Sequence, residues 1–344
     1  MGAKLIRAVF LGVAVMGMAG ATPNPFMLLT RTEIASVSSQ ETPQKPPPEP
    51  PEPTIDLRST LVDVVFSVTD EKNRFVRDLA PESVVVLEDG VPQKIEFFGR
   101  NTDVPMVLAL AIDFSGSQEF NWPAERRAAE KFFAETFRWG KDYAALVSFR
   151  STVELHRGLT SDPARLAEAL QSLVRRDEGY ASQGTSLYDA IYITVEDVLD
   201  GPTARRVRAR NENRIRRALI LITDGHDTSS EHKLAEAIER AQRAGVLIYA
   251  IGLSDSFRFA DVNAQVLNEL TQATGGRAFY PRSEDDLRLA FDQIAEDLSS
   301  QYLVAYYPTN SARDGRFRRL QVKIRDHENW TVAHRAGYVA PKER

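Results

Sequence analysis

Between residues 104 and 298, short apolar runs alternate with amphipathic stretches of helical period, and few folds accept that order. Val104 to Ile112 is a nearly unbroken apolar run, as a strand must be when helices cover both faces of its sheet. Ala124 to Phe137 reads as a helix and Tyr143 to Phe149 as the next strand. Pro163 to Leu173 sets Leu166, Ala169, Leu170 and Leu173 on one stripe, and Leu187, Ile191, Val195 and Val198 form another helical stripe. The strand Leu219 to Ile222, the helix Leu234 to Ala244 and the strand Val246 to Ile251 follow, with Gly245 where a helix-ending glycine belongs. Leu267 to Thr274, stopped by Gly275-Gly276, and Asp285 to Leu298 close the series. The pattern predicts an α/β fold with a doubly wound, mostly parallel sheet and helices on both faces, Rossmann-like in outline.

Strand-like segments flank this block. Val62, Val64, Phe66 and Val68 form one apolar face, while Leu61, Asp63, Val65 and Ser67 form a mixed one, as in a half-buried antiparallel strand. Ser83 to Leu87 and Gln93 to Phe98 are separated by Glu88-Asp89-Gly90, and Asp-Gly between apolar runs signals a hairpin. After the block, Tyr302 to Tyr307, Phe317 to Ile324 and Trp330 to Arg335 read as strands, with a turn at Asp314-Gly315. The two flanks are expected to pair into a small accessory β-sandwich with the α/β domain inserted between them.

The N-terminus has a different character. Lys4 and Arg7 precede the apolar run Ala8 to Met18 and then Ala19-Gly20-Ala21, the order of a secretory signal; an uncleaved anchor is the other reading. Residues 22–55 are rich in Pro, Glu, Gln, Thr and Ser, a composition that buries too little apolar surface to fold. The expected division is a leader over 1–21, a Pro-rich linker over 22–55, a β segment over 56–100, the α/β domain over 101–301 and a C-terminal β segment over 302–344. No later segment is long and apolar enough to span a bilayer. The chain has no cysteine, which excludes disulfides, thiolate nucleophiles and Cys-ligated metals. Its net charge of −5 argues against a nucleic-acid binder, whose footprint is basic.

Asp113-Phe114-Ser115-Gly116-Ser117 lies just past the carboxyl end of the first apolar strand, the edge where open α/β sheets bind ligands. Residues i, i+2 and i+4 of a tight turn can aim one carboxylate and two hydroxyls at a common centre, and Gly116 eases the turn. Thr185, at the start of a helix, and Asp224, at the end of a strand, fall on the same rim. Oxygen donors of this kind suit a hard cation such as magnesium, with manganese or calcium as alternatives. Singly, each of these residues is also a common helix cap or turn former.

The motifs Asp113-x-Ser115-x-Ser117, Gly184-Thr185-Ser186-Leu187 and Ile222-Thr223-Asp224-Gly225 resemble those of the von Willebrand factor type A domain family, over about residues 104 to 300. The flanks, through Val68-Thr69-Asp70, Leu87-Glu88-Asp89-Gly90 and Gly337-Tyr338, more loosely resemble an acidobacterial-type subgroup of that family. The resemblance implies a metal-ion-dependent adhesion site. Ser115, Ser117 and Thr185 would offer hydroxyl oxygens, Asp113 and Asp224 would act through waters and hydrogen bonds, and a partner protein's Asp or Glu would take the remaining position.

Around that set, Phe114, Gly116, Gly225, His226 and Asp227 are candidates for the ligand rim. Phe114 with Tyr180 could form an exposed aromatic lip, or pack in the core. Asp189 could support Thr185 from one helical turn away. The arginines 205, 206, 208, 210, 214, 216 and 217 form a basic run that reads as a solvated mobile loop, or as a contact for acidic polymers or headgroups. The leading expectation is an exported, metal-dependent binding or adhesion module, periplasmic, surface-held or secreted, with its oligomeric state open. A non-catalytic scaffold of an envelope or secretion assembly is the alternative. A hydrolase using Ser115 or a metal-activated water is disfavoured, because no motif places a base and the five histidines show no metal-ligand spacing.

Overall fold

The computed structural model describes residues 61–100, 104–115, 122–173, 184–211, 214–254, 257 and 261–342. The leader and linker, and also Gly116, Ser117 and Tyr180, lie outside the described residues. The first flank supplies β1 (Val62–Thr69), β2 (Val84–Glu88), β3 (Val91–Pro92) and β4 (Ile95–Arg100). Then come β5 (Met106–Asp113), α1 (Trp122–Thr136), β6 (Tyr143–Phe149), β7 (Val153–Thr160), α2 (Pro163–Ser172), α3 (Leu187–Ile193) and α4 (Pro202–Arg210). The block continues with β8 (Arg216–Thr223), α5 (Leu234–Ala244), β9 (Val246–Gly252), α6 (Ala264–Thr274), β10 (Ala278–Phe279) and α7 (Glu284–Ser300). The second flank adds β11 (Tyr302–Tyr306), β12 (Phe317–Ile324), β13 (Thr331–His334) and β14 (Gly337–Val339).

The central sheet has the order β10-β9-β8-β5-β6-β7 and is parallel except for β7. Its middle strand shows why the apolar run is unbroken. Met106, Leu108, Leu110 and Ile112 enter a core shared with α1, α2 and α7, while Val107, Ala109 and Ala111 enter a second core shared with α3 and α5. Alternate side chains point to opposite faces, and helices dry both. Gly245 ends α5 at φ 65, a left-handed conformation that favours glycine.

The flanking strands form two further antiparallel sheets, β13-β1-β11-β4 and β14-β12-β2-β3. The apolar face of β1 packs with β2, β11 and β12 into one core, where Phe66 and Phe98 each stack on Tyr302 with ring centroids 5.5 Å apart.

Four expectations need correction. The Asp89-Gly90 turn forms a hairpin, with φ 48 and 83, but it joins β2 to the two-residue β3. The run near Gln93 to Phe98 then leaves and pairs with β11 in the other sheet. The helix over 187–198 is α3 followed by one wider π turn from Thr194 to Leu199. The basic run is not a loop: Arg205, Arg206, Arg208 and Arg210 lie on α4, and Arg216 and Arg217 lie within β8. Arg216 is buried and donates to the carbonyls of Val104 and Leu298, and Arg217 donates to those of Leu199 and Ala244. Desolvation pushes both guanidiniums down to about 10. Finally, β7 has no counterpart in the sequence pattern, because Val153-Glu154-Leu155-His156-Arg157 is a mostly exposed edge strand without a clean apolar face.

Candidate metal centre

The chain leaves β5 toward β6 on one side and returns later to β8 on the other, so the strand order reverses at β5. A crevice opens outside the carboxyl ends of strands at such a point. Asp113 ends β5, Asp224 follows the last residue of β8, and Thr185 stands two residues before α3.

Asp113 is fully buried. Its Oδ1 accepts from the Ser115 backbone N–H at 2.9 Å, closing an Asx turn that folds the chain back at the strand end. Its Oδ2 accepts from the Thr223 hydroxyl at 2.7 Å, and Thr223 Oγ1 in turn accepts from Gly225 N–H at 3.1 Å. One carboxylate thus ties the ends of two neighbouring strands. Burial pushes the Asp113 carboxyl up to about 6; the Ser115 and Thr223 hydrogen bonds oppose this, and the nearby Asp224 charge adds to it.

Asp224 is buried, and its Oδ1 accepts from His226 N–H at 2.9 Å while its carbonyl accepts from Asn263 N–H at 2.7 Å. Gly225 has φ 83, and a Cβ there would lie 2.9 Å from the Asn263 carbonyl, so glycine is required twice over.

Thr185 is held from two sides. Its N–H donates to the Thr228 hydroxyl at 2.8 Å, and its carbonyl accepts from Thr228 and Ser229 N–H groups. The next residue, Ser186, donates N–H to the Arg150 carbonyl and its hydroxyl to the Ser151 carbonyl. The Thr185 hydroxyl itself makes no hydrogen bond among the described residues.

The remaining candidates divide. Asp189 accepts from the N–H groups of Glu231 and His232 and meets His232 Nδ1 at 2.7 Å, so it braces the loop after Asp224. Burial works to raise its pKa, but those hydrogen bonds hold it below the usual carboxylate value. Asp227 accepts from Tyr188 N–H and the Ser230 hydroxyl, so it too braces α3 against this loop. His226 is exposed beside Asp224. Phe114 is a correction: it is buried, edge-on to Trp122 at 5.2 Å, and contributes to the core and not to an exposed lip.

Sequence reasoning does not single out Thr223, Thr228 or Ser229, since hydroxyls at a strand end or in a loop carry no pattern of their own. It also misses a pair near the carboxyl end of β6, Ser148 Oγ and His156 Nε2 at 2.7 Å. Glu154 approaches that same nitrogen at 3.9 Å, so it does not orient the ring from the other side as a relay requires.

The donor chemistry fits a hard cation. Two buried carboxylates repel one another in a crevice, and a positive ion between them would relieve both. Among the described residues no three Asp, Glu or His side chains converge as a carboxylate or imidazole site would. The rim offers hydroxyls with carboxylates behind them instead.

The von Willebrand factor type A domain model matches residues 108–293, more than half of the chain, and the protein belongs to that family. No curated protein matches. Among solved structures, an aerotolerance-related membrane protein from Bacteroides fragilis is 17% identical, with 55% of this chain and 98% of that one covered and a TM-score of 0.43. BatB from Bacteroides thetaiotaomicron is also 17% identical, with 56% and 99% covered and a TM-score of 0.41. Proximal thread matrix protein 1 from the mussel byssus, in a form with a zinc-occupied MIDAS motif, is 14% identical, with 61% and 49% covered and a TM-score of 0.46. No helix among the described residues is long and apolar enough to cross a membrane.

Proposed function

We propose that this chain is a protein-interaction module that grips a partner's Asp or Glu through a divalent cation at the rim of Asp113 and Asp224. The observation that carries this reading is the wholly buried Asp113 carboxylate, facing the charge of Asp224 in the crevice at the switch point. Ser115, Ser117 and Thr185 would hold the ion through hydroxyl oxygens, with Asp113 and Asp224 orienting them. When bound, such an ion supplies an electrophilic centre that attracts a carboxylate. Hydrogen bonds from Ser115, Thr223 and His226 fix Asp113 and Asp224 in place, and an ion held directly by neutral hydroxyls would stay electrophilic toward a further carboxylate.

Magnesium is the proposed ion, with manganese and calcium next. The leader-like residues 1–21 and the Pro-rich residues 22–55 support export to the periplasm, cell surface or medium. The module is proposed to be non-catalytic. What supports this is the sequence, in which no motif places a base beside Ser115. Calorimetric titration with magnesium, manganese and calcium, followed by capture from an envelope extract with and without the best ion, tests the reading. Saturable ion binding and ion-dependent capture, both lost in Asp113→Ala, are the expected results. Capture that persists in that variant and in chelator would refute it, and labelling of Ser115 or Ser148 by a fluorophosphonate would refute its non-catalytic part.

A further inference from the structure

At the edge of the central sheet opposite Asp113, the starts of β8 and β9 meet β1 and the chain leaving β11. β8 is eight residues long, so the two edges lie about 25 Å apart. A cleft of about 310 Å³ opens there, lined by Arg208, Arg214, Arg217, Arg243, Arg313 and Arg335. Asp63 is the one carboxylate in that lining, while Val65, Ile215 and Leu303 give it an apolar wall.

Two of these cations are committed elsewhere: Arg217 pairs with Asp200 at 3.3 Å and Arg243 with Glu239 at 2.6 Å. Arg335 and Arg214 differ. Neither is within ion-pair distance of a carboxylate among the described residues. Arg335 donates Nη2 to the Asp63 carbonyl at 2.7 Å and lies over the Tyr338 ring, but its Nε is buried with no hydrogen-bond partner. Arg214 lies over the Phe97 ring at 4.7 Å. Burial holds the Arg335 guanidinium below its usual value, despite the opposing pull of Tyr306, Asp63 and Tyr338. Two guanidiniums that no carboxylate pairs with line the same cleft, and an oxyanion there would take charge-assisted bonds from both.

We propose that this cleft binds a small organic oxyanion, a carboxylate or a phosphate ester with an apolar portion. The oxyanion accepts from the Arg335 and Arg214 guanidiniums, and the apolar portion packs on Val65, Ile215 and Leu303. The cleft's volume falls at the small end of ligand sites and suits a molecule of this size better than a folded partner. Nothing in this site depends on the ion at the opposite rim.

The test is calorimetric titration of the full chain in chelator at low salt, with citrate as the carboxylate probe and phenyl phosphate as the phosphate-ester probe. Saturable one-site binding of at least one probe is expected, and which one binds assigns the oxyanion class. Arg335→Gln is expected to abolish binding and Arg214→Gln to weaken it about tenfold. Added sodium chloride is expected to weaken it further, and Asp63→Asn to tighten it. Asp113→Ala is expected to leave it unchanged. Arg214→Gln loses only a partly exposed ring contact, so it stays informative if the Arg335 variant fails to fold. No saturable binding of either probe at millimolar concentration would overturn the proposal. So would binding that survives both arginine variants, or binding that Asp113→Ala removes.

Discussion

Replacing Asp113 by asparagine should make the ion-free protein more stable while destroying the site. In the folded chain Asp113 ionises only near pH 6, against 3.8 for an ordinary aspartate. The native state therefore holds the proton more tightly than the unfolded state does. Ionisation costs stability: nothing below the unfolded pKa, progressively more between 3.8 and about 6, and the full amount above that. A shift of this size corresponds to about 3 kcal/mol. The substituted asparagine would keep the bond from Ser115 N–H through its oxygen, but its amide would face Thr223, whose hydroxyl must turn to accept it; that rearrangement costs about 1 kcal/mol. The net expectation is a gain of about 2 kcal/mol near neutral pH, or roughly 3–4 °C in Tm for a fold of this size. Thermal unfolding of the full chain and Asp113→Asn, in chelator near pH 8 and near pH 4, measures it. The gain should be present at the higher pH and absent at the lower. Adding magnesium should then stabilise the unmodified chain by mass action and leave the variant where it was. A variant less stable than the parent near pH 8 in chelator, or equally stabilised at both pH values, would refute the electrostatic account of this site.

Arg216→Met removes the donor to the buried Val104 and Leu298 carbonyls and should cost about 2–4 kcal/mol in urea unfolding, although the sequence reads as a surface basic run. Gly184→Ala places a Cβ at φ +153 and 2.7 Å from Ser229 Oγ, which displaces Thr185; magnesium affinity by calorimetry should fall about tenfold, with a stability loss of about 1–3 kcal/mol by denaturant midpoint. Tyr306→Phe takes one of two hydroxyl donors from the buried Glu88 carboxylate and should cost about 1.5–3 kcal/mol, measured by denaturant midpoint.

The central strands were legible because burial on both faces writes itself directly into composition: residues 104–112 read as apolar, and β5 occupies Met106–Asp113. The accessory strand β1 was legible for the complementary reason, since one dry face imposes a period of two. What escaped depends on partners remote in sequence. Arg216 is buried because the Leu298 carbonyl at the end of α7, 82 residues away, satisfies it. No local pattern announces a carbonyl. The strand β7 escaped because an edge strand needs no apolar alternation, and β4 because its pairing is decided by the sandwich and not by the turn before it. At the rim, Asp113, Ser115, Thr185 and Asp224 stand at strand and helix ends that the pattern already placed. Phe114 sits among them in sequence, yet its side chain turns inward, and only packing decides that.

The wiring of the rim bears on how it would bind. Asp113 fixes the turn at Ser115 and the end of β8; Thr228 and Ser229 strap the backbone of Thr185; Asp189 and Asp227 clamp the loop beyond Asp224 onto α3. Most of these bonds join segments far apart in the chain, and most end on a carboxylate. This wiring holds two carboxylates together in a buried crevice, where the charge of Asp224 raises the cost of ionising Asp113. Rigid donors combined with unrelieved repulsion favour a small, strongly charged ion over a neutral or bulky ligand. On the proposed reading the same electrostatics would order the events: a partner's acid would be repelled by Asp113 and Asp224 until a cation is in place, and attracted only afterwards.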